Sequence, residues 1–200
     1  MGDRISLFSA FRRPFTNIAK LFLASILFTI PLLNLFTIGF LYNCIKQPKD
    51  LPRWRLFYFI DGLKIFLIIL IYSIPFLLLF YIIYLLEIPA NSTFIMPFYI
   101  VTLFTIYSIP AAIVNFAKSN QIIKNTFKFA LTRKYFIAFA IGILWAVGLN
   151  SISIILTRTL HYILPLSLFA IITWFVSIIL LIASQITFLT LISQAYEKSR

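Results

Sequence analysis

Acidic residues and the side chains that usually carry chemistry are scarce in this chain. Its 200 residues include 5 Asp and Glu together, 1 His and 1 Cys. The single cysteine, Cys44, excludes an intramolecular disulfide and a multi-cysteine metal site. One histidine, His161, and a few scattered acidic residues form neither a metal-spaced cluster nor a carboxylate pair, and a glycine-rich phosphate loop is missing. The sequence therefore predicts a protein that is not an enzyme and uses no cofactor or metal ion.

Charge is also sparse, whereas apolar residues are abundant. Charged residues make up 11% of the chain and hydrophobic residues 62%, with a mean hydropathy of +1.03. A chain of this length has too little polar surface to cover a soluble globule, so the composition predicts an integral membrane protein. A net charge of +12 would suggest nucleic acid in a soluble protein. Here the cations cluster between apolar stretches, so we expect anionic membrane lipids as partners, and no nucleic acid.

Four apolar stretches are long enough to cross a bilayer as helices. They occupy residues 63–86, 94–117, 135–156 and 164–192. We therefore expect an all-α integral membrane protein with one helical domain over residues 1–200. The first two stretches share a short repeat, Tyr72-Ser73-Ile74-Pro75 and Tyr107-Ser108-Ile109-Pro110. In antiparallel neighbours the repeat predicts proline kinks at comparable depths, each with a serine hydroxyl able to bond backbone groups near the kink.

Residues 18–42 are apolar but broken by Pro31 and Asn34. Basic residues precede and follow this segment. Because positive flanks favour the cytoplasm, we expect a re-entrant hairpin that turns at Pro31–Asn34. The alternative is one kinked crossing, a fifth, which would place the N-terminus outside. Asn34 is expected to bond carbonyls that Pro31 leaves free, or else to contact a ligand.

Basic residues are distributed very unevenly between the ends of these helices. Of 17 Lys and Arg, 16 fall in the N-terminal segment, residues 46–64, residues 118–134 and the C-terminus, and Arg158 is the exception. The positive-inside rule then predicts a multi-pass protein of the cell membrane with both termini in the cytoplasm.

Three stretches are predicted to lie at the membrane surface. Residues 1–17 mix apolar and basic side chains, as interfacial segments do. Residues 119–134 show an apolar stripe at helical spacing, which predicts an amphipathic helix capped by Ser119 or Asn120. A basic aromatic strip also follows Pro52. Candidate lipid-headgroup contacts are Arg53, Arg55, Lys124, Lys128 and Arg133.

A few polar residues fall inside or beside the apolar helices. Asp61 and Lys64 are spaced i,i+3, so on a helix they can pair at the membrane edge, and Gly62 between them permits close approach of another backbone. Asn150 and Gln185 interrupt later helices, and Gln185 is expected to be buried. With Asn34, these are the candidate polar residues within the membrane.

Part of the chain resembles a known family. Residues 25–75 are similar to the prokaryotic (archaeal or bacterial) multi-pass membrane family known as domain of unknown function 4013. The resemblance rests on Ile30-Pro31-Leu32-Leu33-Asn34, Gly39-Phe40-Leu41, Leu51-Pro52-Arg53-Trp54 and Asp61-Gly62-Leu63-Lys64. Phe40 stands where the family usually has Tyr. The resemblance implies a bundle of membrane helices and no established activity.

Two functions fit these patterns. The leading one is a non-catalytic membrane module, an accessory or scaffold subunit that packs against lipid and other membrane proteins. The alternative is a small transporter or lipid carrier, with Asn34, Asn150 and Gln185 lining a polar cavity. A wet cavity reaching Asn34 would favour the carrier, and a dry interior would favour the module.

Overall fold

The computed structural model describes residues 6–47, 50–89, 93–161 and 165–199. These residues fold into helices and contain no strand, which confirms the predicted all-α class. Single 3-10 turns occur at Arg13–Thr16 and Thr93–Ile95. The α-helices of the described chain are α1 Leu7–Arg12, α2 Ile18–Thr29, α3 Asn34–Lys46, α4 Tyr58–Leu85, α5 Met96–Ser119, α6 Thr126–Ala130, α7 Arg133–His161 and α8 Leu166–Ser199.

Four of these helices, α4, α5, α7 and α8, are long and apolar enough to cross a membrane. They confirm the predicted stretches 63–86, 94–117, 135–156 and 164–192 within a few residues at most ends. The larger differences are at the polar ends, where α4 begins five residues earlier, α7 continues five residues further to His161 and α8 continues to Ser199. Hydropathy marks only the apolar part of a helix, whereas backbone hydrogen bonding continues through the polar residues that flank it.

Residues 18–46 form a helical hairpin and not one kinked helix. Helix α2 ends at Thr29, Leu32 adopts a left-handed conformation with φ 68°, and α3 begins at Asn34. At 12 and 13 residues, each helix is about 18–20 Å long, well short of the roughly 30 Å of a bilayer core. The Thr37 hydroxyl donates to the Ala24 carbonyl at 2.9 Å, which joins the two helices. The predicted proline-broken hairpin is therefore present.

Helices α3 and α4 pack backbone to backbone through two glycines. A Cβ placed on Gly62 would lie 1.9 Å from the Leu35 carbonyl oxygen, and one on Gly39 would lie 1.9 Å from the Tyr58 carbonyl oxygen. The predicted close approach at Gly62 is confirmed. Small residues permit such contacts in membranes, where helix association depends on close van der Waals packing.

Helix α8 is the element around which the others assemble. It contacts α1, α2, α3, α5 and α7, and it pairs along much of its length with α7. Its buried side chains, from Ile182 to Tyr196, belong to both hydrophobic clusters of the described chain. The α2–α3 hairpin packs against the same part of α8, so the core lies towards the end of the bundle where α8 ends.

The N-terminal segment is only partly a surface element. Phe8 of α1 is 75% exposed, as expected of an interfacial residue. Ala10 is fully buried, and the Phe11 ring stacks on Trp145 of α7 with ring centroids 4.4 Å apart. The described part of the predicted interfacial stretch, residues 6–17, thus docks on the bundle through one face.

The predicted amphipathic helix over residues 119–134 is wrong. Ser119 ends α5, Asn120 and Asn125 have left-handed φ angles of 56° and 68°, and only Thr126–Ala130 is helical. Neither Ser119 nor Asn120 is an N-cap, because Asn120 instead terminates α5. The apolar stripe is also divided, since Ala130 is buried while Leu131 is 84% exposed.

The repeated Tyr-Ser-Ile-Pro segments share a role through their tyrosines. The Tyr72 hydroxyl donates to the Ile122 carbonyl at 2.9 Å, and the Tyr107 hydroxyl donates to the Ala130 carbonyl at 2.7 Å. Both tyrosines therefore hold the connection between α5 and α7. The serine expectation is confirmed at the second kink, because the Ser108 hydroxyl donates to the carbonyl of Thr105, five residues before Pro110, at 3.3 Å.

The glycine contact gives a matched pair of substitutions. We expect Gly62→Ala to destabilise the protein by about 1–3 kcal/mol, because the added methyl overlaps the α3 backbone. Gly148→Ala is the control, since no described residue outside the adjacent turns of its own helix lies within 4 Å of its Cβ position, and it should be neutral or stabilising by up to about 1 kcal/mol. Thermal unfolding in mild detergent measures both. Equal melting temperatures for the two variants would contradict the contact.

Candidate functional site

A buried arginine closes the open end of the α2–α3 hairpin. Arg13 is 3% exposed and lies in the 3-10 turn that precedes α2. Its Nη1 donates to Thr190 Oγ1 of α8 at 2.7 Å. Its Nη2 donates to the carbonyl of Cys44 at 2.6 Å and to that of Gln47, and lies 3.3 Å from the carbonyl oxygen of Asp50. One guanidinium thus joins the N-terminal segment, the end of α3 and α8.

The chemistry of a helix end explains this arrangement. The last carbonyls of α3 have no intrahelical partner and carry the negative end of the helix dipole, so a cation is favourable there. Burial lowers the pKa of the Arg13 guanidinium from its ordinary value, while Cys44 and Asp50 act in the opposite direction. An arginine still remains charged at any physiological pH.

A second polar group lies beside the glycine contact of α3 and α4. Asp61 pairs with Lys64 across 3.7 Å, as their i,i+3 spacing predicts. Asn43 Nδ2 donates to Asp61 Oδ2 at 2.8 Å and to the Gly39 carbonyl at 2.9 Å. The Asp61 side chain is 21% exposed and that of Lys64 is 55% exposed, so this group lies near a surface. It ties α3 to α4 next to the point where their backbones touch.

Asn115, which sequence reasoning missed, is the most highly bonded polar side chain of the α5 end. It is fully buried, and its Nδ2 lies 2.8 Å from the carbonyl oxygens of both Gln121 and Lys124. Its Oδ1 accepts from the hydroxyls of Ser119 and Tyr196, each at 3.0 Å. These bonds fold the chain back after α5, which explains why a continuous helix over residues 119–134 does not form. The sequence signal that could have identified Asn115 is its amide side chain within an apolar helix.

The candidate polar residues of the membrane do not meet in one cavity. Asn150 is exposed, and so is Gln185, which the sequence predicted to be buried. Asn34 is half-buried, and its side chain makes no hydrogen bond within the described part of the chain. Its predicted role in bonding carbonyls near Pro31 is therefore wrong; its backbone N–H instead donates to the Ile30 carbonyl at 3.0 Å. Five of the best-formed clefts among the described residues have linings that include none of the three.

The candidate headgroup residues are all at least partly exposed and gather at one end of the bundle. This is the end where α8 ends, because Lys118 pairs with Glu197 at 2.5 Å and Lys134 Nζ donates to the Lys198 carbonyl at 2.6 Å. The hairpin opens at this same end, since Ser193 reaches the Ile45 carbonyl at 3.4 Å. The residues are Arg53, Arg55, Lys124, Lys128 and Arg133.

No protein-family model, curated protein or solved structure matches this chain. The resemblance of residues 25–75 to the prokaryotic membrane family therefore stays a prediction.

Substitutions at two neighbouring arginines test whether Arg13 closes the hairpin. We expect Arg13→Met to destabilise the protein by on the order of 3 kcal/mol, because it leaves buried carbonyls and Thr190 without their donor. Arg12→Met removes the same charge from an exposed position and should change stability by less than about 0.5 kcal/mol. Thermal unfolding of both variants in one detergent provides the comparison. A loss of stability for Arg12→Met as large as that for Arg13→Met would refute the closure.

Substitutions at two asparagines test whether Asn115 holds the connection that follows α5. Asn115→Leu should destabilise by about 2 kcal/mol or more and speed amide hydrogen exchange around Gln121 and Lys124, whose carbonyls lose a buried donor. Asn150→Leu, at an exposed site in an apolar helix, should be neutral or stabilising. Unchanged exchange in the connection of Asn115→Leu would show that the amide does not hold it.

Proposed function

We propose that this chain is a non-catalytic module of the cell membrane, an accessory or scaffold subunit that packs against lipid and other membrane proteins. Both termini lie in the cytoplasm in this proposal. The observation that carries it is the gathering of exposed cations at the end of the bundle where α8 ends, with Arg158 near the far end of α7. Such asymmetry favours the cytoplasmic side for the basic end. The resemblance to a prokaryotic family supports a bacterial or archaeal membrane.

Exposed apolar side chains accompany these cations. Leu56 is 85% exposed and Phe57 is 73% exposed, and both directly follow Arg55. Leu131 is 84% exposed close to Lys128. This mixture suits the boundary between headgroups and acyl chains, where each cation near an anionic surface contributes on the order of 1 kcal/mol. Anionic lipids are the partners that the mixture favours.

The geometry favours a module over a small transporter or lipid carrier. A carrier would need a polar path between the helices, and two of its three candidate residues, Asn150 and Gln185, are exposed on the apolar helices α7 and α8. Two of the buried polar side chains of α8, Thr190 and Ser193, are instead bonded to the Arg13 closure and to the hairpin. They join the helices to one another.

Cysteine accessibility tests the orientation. Ser6, Ser199 and Thr159 are exposed, the first two at the basic end and the third near the end of α7. In intact cells an impermeant maleimide should label Thr159→Cys, and it should label Ser6→Cys and Ser199→Cys only after lysis. The native Cys44 is buried and gives a low background. Labelling of Ser6→Cys or Ser199→Cys from outside intact cells would overturn the proposed orientation.

A further inference from the structure

A cleft of about 400 Å³ opens at the mouth of the α2–α3 hairpin. We name it the mouth cleft. One wall is formed by Thr16, Asn17 and Lys20, and the other by Gln47, Asp50, Leu51 and Arg53. The closure by Arg13 lies directly behind it, because Arg13 bonds the carbonyls of Gln47 and Asp50.

Positive charge around the mouth cleft exceeds negative charge. Lys20 and Arg53 line it and Arg13 lies behind it, whereas among the described residues Asp50 is the one carboxylate in its lining. The two ion pairs of the described chain, at Asp61 and Glu197, do not involve these cations. The described residues around the cleft therefore carry a net positive charge, and no carboxylate among them lies at ion-pair distance from its cations.

One donor of the mouth cleft is already positioned. Lys20 Nζ is fixed by a hydrogen bond to the Leu51 carbonyl at 2.6 Å, and its other two N–H groups make no hydrogen bond to the described residues, so they can bind an anion. Arg53 presents a guanidinium, which binds phosphate oxygens in bidentate fashion. Helix α2 also begins here, where Asn17 Oδ1 caps the Lys20 N–H, so the positive end of its dipole faces the cleft.

An exposed apolar stripe leads from the mouth cleft along α2 towards the hairpin turn. Leu23 follows Lys20 by one helical turn and is 39% exposed, and Ile26 one turn further is 36% exposed. A ligand with a charged head and an apolar tail would match both features. A free phosphate would use only the first.

We propose that the mouth cleft binds the phosphate of one anionic glycerophospholipid, with an acyl chain lying along Leu23 and Ile26. This proposal rests on the proposed function, which places the basic end of the bundle at the cytoplasmic leaflet. It adds one defined lipid site to the general attraction of that end to anionic lipid. Lys20 and Arg53 bind the phosphate oxygens, and the α2 N-terminus adds backbone donors. Asp50 disfavours headgroups with further negative charge.

The test compares two arginines of one segment. The full chain in mild detergent is titrated with phosphatidylglycerol, phosphatidylcholine or inorganic phosphate, and bound molecules are counted by native mass spectrometry. We expect saturable binding of one phosphatidylglycerol. Arg53→Gln should weaken it roughly tenfold, as for one lost charge-assisted hydrogen bond. Arg55→Gln, which removes the same charge outside the lining of the cleft, should change it less than about twofold.

Further variants and ligands distinguish a defined lipid site from general attraction to the basic surface. Lys20→Gln should also weaken phosphatidylglycerol binding. Because the site needs a positive charge at this position, Lys20→Arg should bind phosphatidylglycerol more tightly than Lys20→Gln does. Equal weakening by Arg53→Gln and Arg55→Gln would reduce the effect to general surface attraction and overturn the site. Binding of inorganic phosphate as strong as that of phosphatidylglycerol would overturn the lipid assignment. Cysteine labelling decides the orientation independently, so either proposal can fail alone.

Discussion

The hydrogen bonds of one buried guanidinium hold the hairpin mouth to the rest of the bundle. A re-entrant hairpin leaves the carbonyls at the end of its second helix without intrahelical partners, and buried groups of this kind need a donor. Arg13 supplies it to Cys44 and Gln47 and also bonds Thr190 of α8. Burying a lone arginine is unfavourable unless its donors are used, so the charge and the carbonyls stabilise each other. The fold around the hairpin depends on these hydrogen bonds between the Arg13 guanidinium and the carbonyls.

The helices around the Arg13 closure pack through small side chains and closely fitting surfaces. Lipid tails are as apolar as the helices, so helices in a membrane gain little from hydrophobic association and must fit closely. Gly39 and Gly62 let the α3 and α4 backbones touch, and Gly142 accepts the Phe188 ring between α7 and α8. Beyond these contacts, much of α4 and α7 is exposed, as expected of surfaces solvated by acyl chains.

The basic end combines rigidity with exposed charge. Asn115 and the paired tyrosines Tyr72 and Tyr107 bond the backbone of the α5–α7 connection, so its lysines project from a fixed loop. At the hairpin mouth, the Arg13 closure holds the backbone at Gln47, which lies in the same wall of the mouth cleft as Arg53. Pre-positioned cations lose less conformational freedom on binding than mobile ones. A basic surface built in this way suits the recognition of particular headgroups as well as general attraction to anionic lipid.

Four features could be predicted without the structure: the helical class, the four long apolar helices, the break at Pro31 and the Asp61–Lys64 pair. These follow from composition and from local spacing, which act within one helix or turn. Which polar residues are buried depends on how the helices pack against one another. Asn115 and Arg13 are buried and hydrogen-bonded, whereas Asn150 and Gln185 are exposed. Residues 119–134 do not form the predicted helix, because the hydrogen bonds of Asn115 fold this segment back. A uniformly apolar helix gives no periodic signal for its inward face, so only contacts with neighbouring helices could assign it.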